Sequence, residues 1–207
     1  MSRIPLVHFS LTLTILIPLV LGVFRYKDLD SSLKYFLFYL STGFLSEILI
    51  YFFDDKTYIL IVQQLYLLLE GQLILIMFLK WSEDRNRNIF VSSMLFLVFS
   101  VFDSYLVFNS ENYSFKSINI IQFIILIIVG IRCLLKNNNL IYRLVVIPFT
   151  IYATYYIVLN ILIAFLYDES KKILFIDLFG LITFINFLSY ISYSLAFLWA
   201  PKKEKYL

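Results

Sequence analysis

The sequence predicts an all-α, polytopic membrane protein of seven transmembrane helices, and three observations predict it. Apolar residues make up 61% of the chain, with a mean hydropathy of +0.87, well above the roughly 45–50% of a soluble domain. The charged residues, 15% of the chain, gather in short clusters between long apolar runs. Those runs are continuous, without the strict alternation of a barrel strand, and each approaches the roughly 20 residues that a helix needs to cross the hydrocarbon core.

The first run, Ile4–Phe24, follows Arg3 and is too long for a signal-peptide core; Gly22-Val23-Phe24-Arg25 offers no small-residue cleavage site, so it reads as a retained helix. Pro18 bends or starts this helix, and Thr14 one turn earlier can satisfy the backbone that proline frees. The cluster from Arg25 to Asp30 ends it, and Leu33–Phe53 follows. Asp54-Asp55-Lys56 then forms a tight hairpin into Tyr58–Leu79. Ser82 to Asn88 separates this from Ile89–Phe108, and Asn109 to Asn112 separates that from Ile118–Leu135. Lys136 to Asn139 precedes Leu144–Tyr167, which carries Pro148 near its start. Asp168 to Lys172 leads to the last run, Ile173–Ala200. Residues 1–207 thus form one seven-helix domain, with no linker composition to mark a second.

Lysine and arginine set the orientation. One set of loops holds twelve, among them Arg25, Lys27, Lys34, Lys80, Arg132, Lys136 and Arg143; the opposite set holds five, Arg3, Lys56, Lys116, Lys171 and Lys172. The N-terminus is therefore expected outside and the C-terminus in the cytoplasm, with Tyr26, Trp81 and Trp199 as interfacial anchors. Short loops and richness in Ile, Asn, Lys and Phe suit a bacterial inner (plasma) membrane. Asn112-Tyr113-Ser114 matches a glycosylation sequon in a predicted outer loop.

Four carboxylates, Glu47, Glu70, Asp103 and Asp177, fall inside these spans with no lysine or arginine at matching depth. An acid at the bilayer centre costs roughly 2.5–3.5 kcal/mol on insertion scales, so it faces protein or water. Glu70 is central, Glu47 lies in the outer half, and Asp103 and Asp177 sit about one turn inside the outer ends, where snorkelling competes with function. Helical spacing gives Glu70 partners: Gln63, Tyr66 and Glu70 share a face of the third helix. Gly43, Glu47 and Tyr51 do so on the second, Tyr152, Tyr156 and Asn160 on the sixth, and Asn186, Ser189, Tyr190 and Tyr193 on the seventh. The expected ligand-binding residues are Glu70, Glu47, Gln63, Tyr66, Tyr152, Tyr156, Asn160, Asn186 and Tyr190, around a polar or cationic solute or a proton. Amides and hydroxyls in membrane helices often only bond neighbouring helices, and that plainer role competes at Gln63, Asn160 and Asn186.

Glu47-Ile-Leu-Ile-Tyr-Phe-Phe-Asp-Asp55 runs parallel to Asn160-Ile-Leu-Ile-Ala-Phe-Leu-Tyr-Asp168. This suggests a three-plus-one-plus-three parallel repeat, a plan used by some transporters. In helix count, size and direction the arrangement resembles the plan of sugar facilitators and lumenal retrieval receptors, though the Pro-Gln pair typical of many of them is absent.

Several classes are excluded. The single histidine, His8, rules out histidine-rich zinc hydrolases and bis-histidine haem, and leaves Ser192 and Ser194 without a base; the single cysteine, Cys133, rules out an intrachain disulfide and a multi-cysteine metal site. No lysine lies between Ile173 and Ala200 to form a retinal Schiff base, and no phosphate-binding loop is present. Neither a cofactor nor a metal is expected, nor nucleic acid as a partner. A small-solute or proton-coupled transporter is the first reading. A non-enzymatic receptor or assembly subunit working through a membrane partner protein is the second, a carboxylate-only lipid-modifying enzyme the third, and a homo-oligomer fits any of them. The basic tail Lys202-Lys203-Glu204-Lys205 suits anionic lipid or a partner.

Overall fold

The computed structural model describes residues 13–52, 55–82, 86–109, 117–166 and 172–201. The chain is all-helical, 91% helix with no strand among the described residues. A 3-10 turn, Leu13–Ile15, runs into α1 (Leu16–Phe24). The helices that follow are α2 (Ser31–Phe52), α3 (Lys56–Trp81), α4 (Asn86–Asn109), α5 (Ser117–Lys136), α6 (Leu140–Leu166) and α7 (Lys172–Trp199). Each break coincides with a charge or turn-former cluster. Three helix starts are closed by side chains that accept from otherwise unpaired backbone N–H groups: Asp30 from Leu33 at 2.7 Å, Asp55 from Thr57 at 2.7 Å, and Asn139 from Ile141 at 2.9 Å.

Four stretches are long and apolar enough to cross a membrane: Ser31–Phe52, Thr57–Trp81, Leu140–Leu162 and Gly180–Trp199; Leu13–Phe24 and Arg87–Phe102 are shorter apolar stretches. The surface agrees, because every helix turns large apolar side chains outward. Ile17, Phe38, Leu65, Phe99, Ile128, Ile151 and Leu188, one from each of α1 to α7, are all exposed. A soluble monomer rarely shows contiguous apolar patches beyond a few hundred Å², whereas lipid accepts such a surface. The chain is a membrane protein.

Neighbouring helices pack in the order α1–α2–α3–α5–α6–α7 and back to α1, making a ring, with α4 seated outside against α3 and α5. At one end the ring is filled by fully buried phenylalanines: Phe36 from α2, Phe78 from α3, Phe149 from α6 and Phe197 from α7. Phe36 stacks on Phe197 at 5.8 Å between centroids, and Phe78 meets Phe149 edge-on at 5.5 Å. Trp81 closes this layer, stacked on Tyr142 at 4.3 Å.

The same end gathers basic residues as helix caps. Arg25 donates to the carbonyls of Phe197 at 2.5 Å, Leu198 at 2.6 Å and Ala200 at 2.7 Å, holding the end of α7. Lys136 donates to Ser82 O at 2.8 Å and Asn137 to Trp81 O, holding the end of α3. Cations fit there because the last carbonyls of a helix carry its negative pole. His8, Asn112–Ser114 and Lys202–Lys205 lie outside the described residues, as do the side chains of Asp103 and Asp177.

Candidate functional site

Glu70 stands about midway along α3 and points into the ring, where it is 1% exposed. Neither carboxyl oxygen has a hydrogen-bond partner. The side chains that act on it are the phenols of Tyr39 and Tyr66, with no cation among them. Tyr152 of α6 and Tyr190 and Tyr193 of α7 also lie within electrostatic range of Glu70. A carboxyl group is thus ringed by phenols from four helices.

Glu47 lies eight residues beyond Tyr39 on α2, about 12 Å along the axis at 1.5 Å per residue, toward the end away from the phenylalanine layer. It is half-buried. Tyr66, Tyr152 and Tyr190 lie within electrostatic range of both acids. Gly43, one turn before Glu47, lets α3 come close: a Cβ there would stand 3.5 Å from the Tyr66 hydroxyl and 3.3 Å from Ile15. On α5, Phe123 packs against Tyr156 at 4.7 Å and Tyr152 at 6.2 Å, which fixes the α6 phenols beside α5.

On its other side Glu70 borders a small cavity lined by Leu67, Glu70, Gly71, Gln122, Phe123 and Leu126, of about 10 Å³ for the centre of a water molecule. That is room for about one water. Gln122 Nε2 donates to Ser100 Oγ at 2.7 Å, and Ser100 Oγ donates to Phe96 O at 2.8 Å. Gly71 allows the closeness of α3 and α4 here, since a Cβ would run into the Phe96 ring.

The structure therefore brings together Glu70, Tyr66, Tyr152 and Tyr190, with Glu47 in electrostatic range of the same three phenols and Tyr156 held through Phe123. Asn160 stands in the next turn of α6 after Tyr156, and its amide donates to Tyr156 O at 2.8 Å, a bond within its own helix. Asn186 is half-buried on α7. Gln63 is exposed, and the neighbouring Gln64 is buried instead, 6% exposed. Gln63 shares the azimuth of Glu70, two turns away, but a shared azimuth buries a side chain only where a neighbouring helix continues to cover it. Tyr51, expected with Glu47, is exposed for the same reason.

Tyr39, Gln122 and Ser100 belong to the site without having been expected in it. Gln122 carried a signal, as an amide one turn inside the long apolar fifth run. Tyr39 carried none, because which of the tyrosines on α2 turns toward α3 depends on packing. Among the described residues no group of three or more metal-ligating side chains occurs. No protein-family model, curated protein or solved structure matches the chain.

Proposed function

We propose that the protein is a small-solute or proton-coupled transporter of a bacterial inner membrane, with Glu70 as the group that takes up and releases the coupled charge. In this reading all seven helices cross the membrane, the basic end faces the cytoplasm and Glu47 lies on the outer side. The single observation that carries it is Glu70 itself. A carboxyl deep in a membrane-length helix, with both oxygens unpartnered and no cation beside it, is expensive to keep unless its charge is used. The phenylalanine layer below it would act as the closed inner gate, and the Glu47–Tyr66–Tyr152–Tyr190 path would act as the outer entrance. The packing of α4 outside the ring supports a division into three helices, a connector and three helices.

The test is flux in sealed proteoliposomes of the purified chain under an imposed pH gradient, with and without candidate amines, sugars and cations. Wild type is expected to dissipate the gradient or accumulate one solute. Glu70→Gln is expected to fall to the level of protein-free vesicles, and Glu47→Gln to an intermediate level. Wild-type flux no higher than that of protein-free vesicles would end this reading.

A second reading is favoured by one observation. The cavity beside Glu70 holds about one water, so a larger solute requires the helices to move, whereas a receptor or assembly subunit acting through a membrane partner requires no passage. A partner protein that co-purifies with wild type and is lost with Glu70→Gln would support it.

A further inference from the structure

The hydrogen bonds around Gln122 fix which way its amide faces. Ser100 has a single hydroxyl proton, and it is given to Phe96 O at 2.8 Å. Ser100 Oγ must therefore accept from Gln122, and the Gln122 NH₂ is directed at Ser100 at 2.7 Å. The carbonyl oxygen of that amide is then not engaged by Ser100 and is available to the cavity that Gln122 lines. Across the cavity stands Glu70, buried, with both oxygens unpartnered. The polar residues of the lining are Glu70 and Gln122, and the rest are Leu67, Gly71, Phe123 and Leu126; with its NH₂ given to Ser100, Gln122 has its carbonyl to offer.

Such a lining selects a guest by three properties. Its size is that of about one water. It must donate hydrogen bonds, because both polar walls are acceptors. It should be cationic, because one wall carries a negative charge when ionised and a buried charge is kept only when paired. Hard metal ions are poorly matched, since they gather six or more oxygens and the lining supplies only those of one carboxylate and one amide.

We propose that the cavity between α3 and α5 binds a water-sized, hydrogen-bond-donating cation, of which ammonium is the simplest, held between the Glu70 carboxylate and the Gln122 amide oxygen. This rests on the reading of Glu70 as the charge-carrying group and names the class of cation it takes. Ser100 is a positioning residue that acts through Gln122.

The probe is ammonium chloride, compared with potassium chloride at equal ionic strength and fixed pH. Potassium is close to ammonium in size but has no N–H to donate. Thermal unfolding of the detergent-purified full chain is expected to shift upward, saturably, with ammonium and not with potassium. Glu70→Gln is expected to abolish the shift. Gln122→Met is expected to weaken ammonium binding about tenfold or more, the order of one charge-assisted hydrogen bond. Ser100→Ala leaves Gln122 in place but frees its amide to turn, so it gives an independent reading should Gln122→Met fail to fold; a several-fold weakening is expected.

No ammonium shift in wild type, equal shifts with both ions, or unchanged affinity in Ser100→Ala together with folded Gln122→Met would each overturn the proposal. Binding is read in detergent, so its failure is separable from that of transport. An ammonium-specific shift without flux in vesicles keeps the site and removes the transporter, and flux without the shift does the reverse.

Discussion

A buried polar group left without a hydrogen bond costs about 1–3 kcal/mol, more when it is charged, and Glu70 carries that cost on both carboxyl oxygens. A residue kept for packing alone would not be a carboxylic acid at this position. Glu70→Met, of similar length and apolar, is therefore expected to raise thermal stability in detergent by about 1–3 kcal/mol, while flux is lost; the opposition of stability and activity marks a functional residue. A fall in stability of similar size would make Glu70 a structural partner. The glycine beside it has the contrary role. Gly71→Ala would push a methyl into the Phe96 ring and is expected to cost about 1–3 kcal/mol, the range for overpacking a filled site. Phe96→Leu in the same chain should recover most of that loss, because the clash is pairwise. Additive effects of the two substitutions would show that Gly71 matters for another reason.

At the scale of the elements, helix ends and interhelical caps decide what is rigid. Arg25 joins the turn after α1 to three carbonyls within about one turn at the end of α7, contacts 172 or more residues apart in sequence. The planar guanidinium fork reaches several acceptors at once, and an ammonium does not. Arg25→Lys is expected to lose about 1–2 kcal/mol and Arg25→Ala about 2–3 kcal/mol, for hydrogen bonds from a charged donor. Hydrogen exchange at the last turn of α7 should accelerate in both; equal protection in Arg25→Ala would show the cap to be idle. Element boundaries were legible in the sequence because they are local. A charge or turn former such as Asp55 or Asn139 ends an apolar run and then caps the next helix with its own side chain. Glu70 and Glu47 were legible for a related reason, since depth along a helix is counted directly in residues. Azimuth was not. Gln63 and Gln64 differ by one residue, and which turns inward is decided by the helices that cover α3 at that depth. Tyr39 faces Glu70 only because α2 packs beside α3, a relation between segments that no periodicity within either encodes.

For the whole molecule, the deciding feature is that the ring is closed by phenylalanines at one end, with the phenols around Glu70 resting on that layer, Tyr193 against Phe36 at 4.8 Å. The end filled by Phe36, Phe78, Phe149 and Phe197 is also the end where Arg25 and Lys136 cap helices. Charge and packing therefore point along one axis. The basic set of loops holds twelve lysines and arginines against five in the opposite set, a bias that retains positive loops in the cytoplasm. The direction matters for mechanism. On the proposed transport reading with the basic end inside, Glu70 would be approached from outside past Glu47, and the phenylalanine layer would have to open to release anything inward; inverted, the same site would be filled from the cytoplasm. Single cysteines resolve this. Cys133 is free and fully buried, so Cys133→Ala gives a background with no thiol at small packing cost. In it, Asn138→Cys marks the basic end and Asn112→Cys the segment between α4 and α5. A membrane-impermeant maleimide applied to intact cells is expected to label Asn112→Cys at once and Asn138→Cys only after the membrane is permeabilised. The reverse pattern would invert the molecule and make Glu70 an acceptor of cytoplasmic charge, with the Glu47 end as its inner mouth.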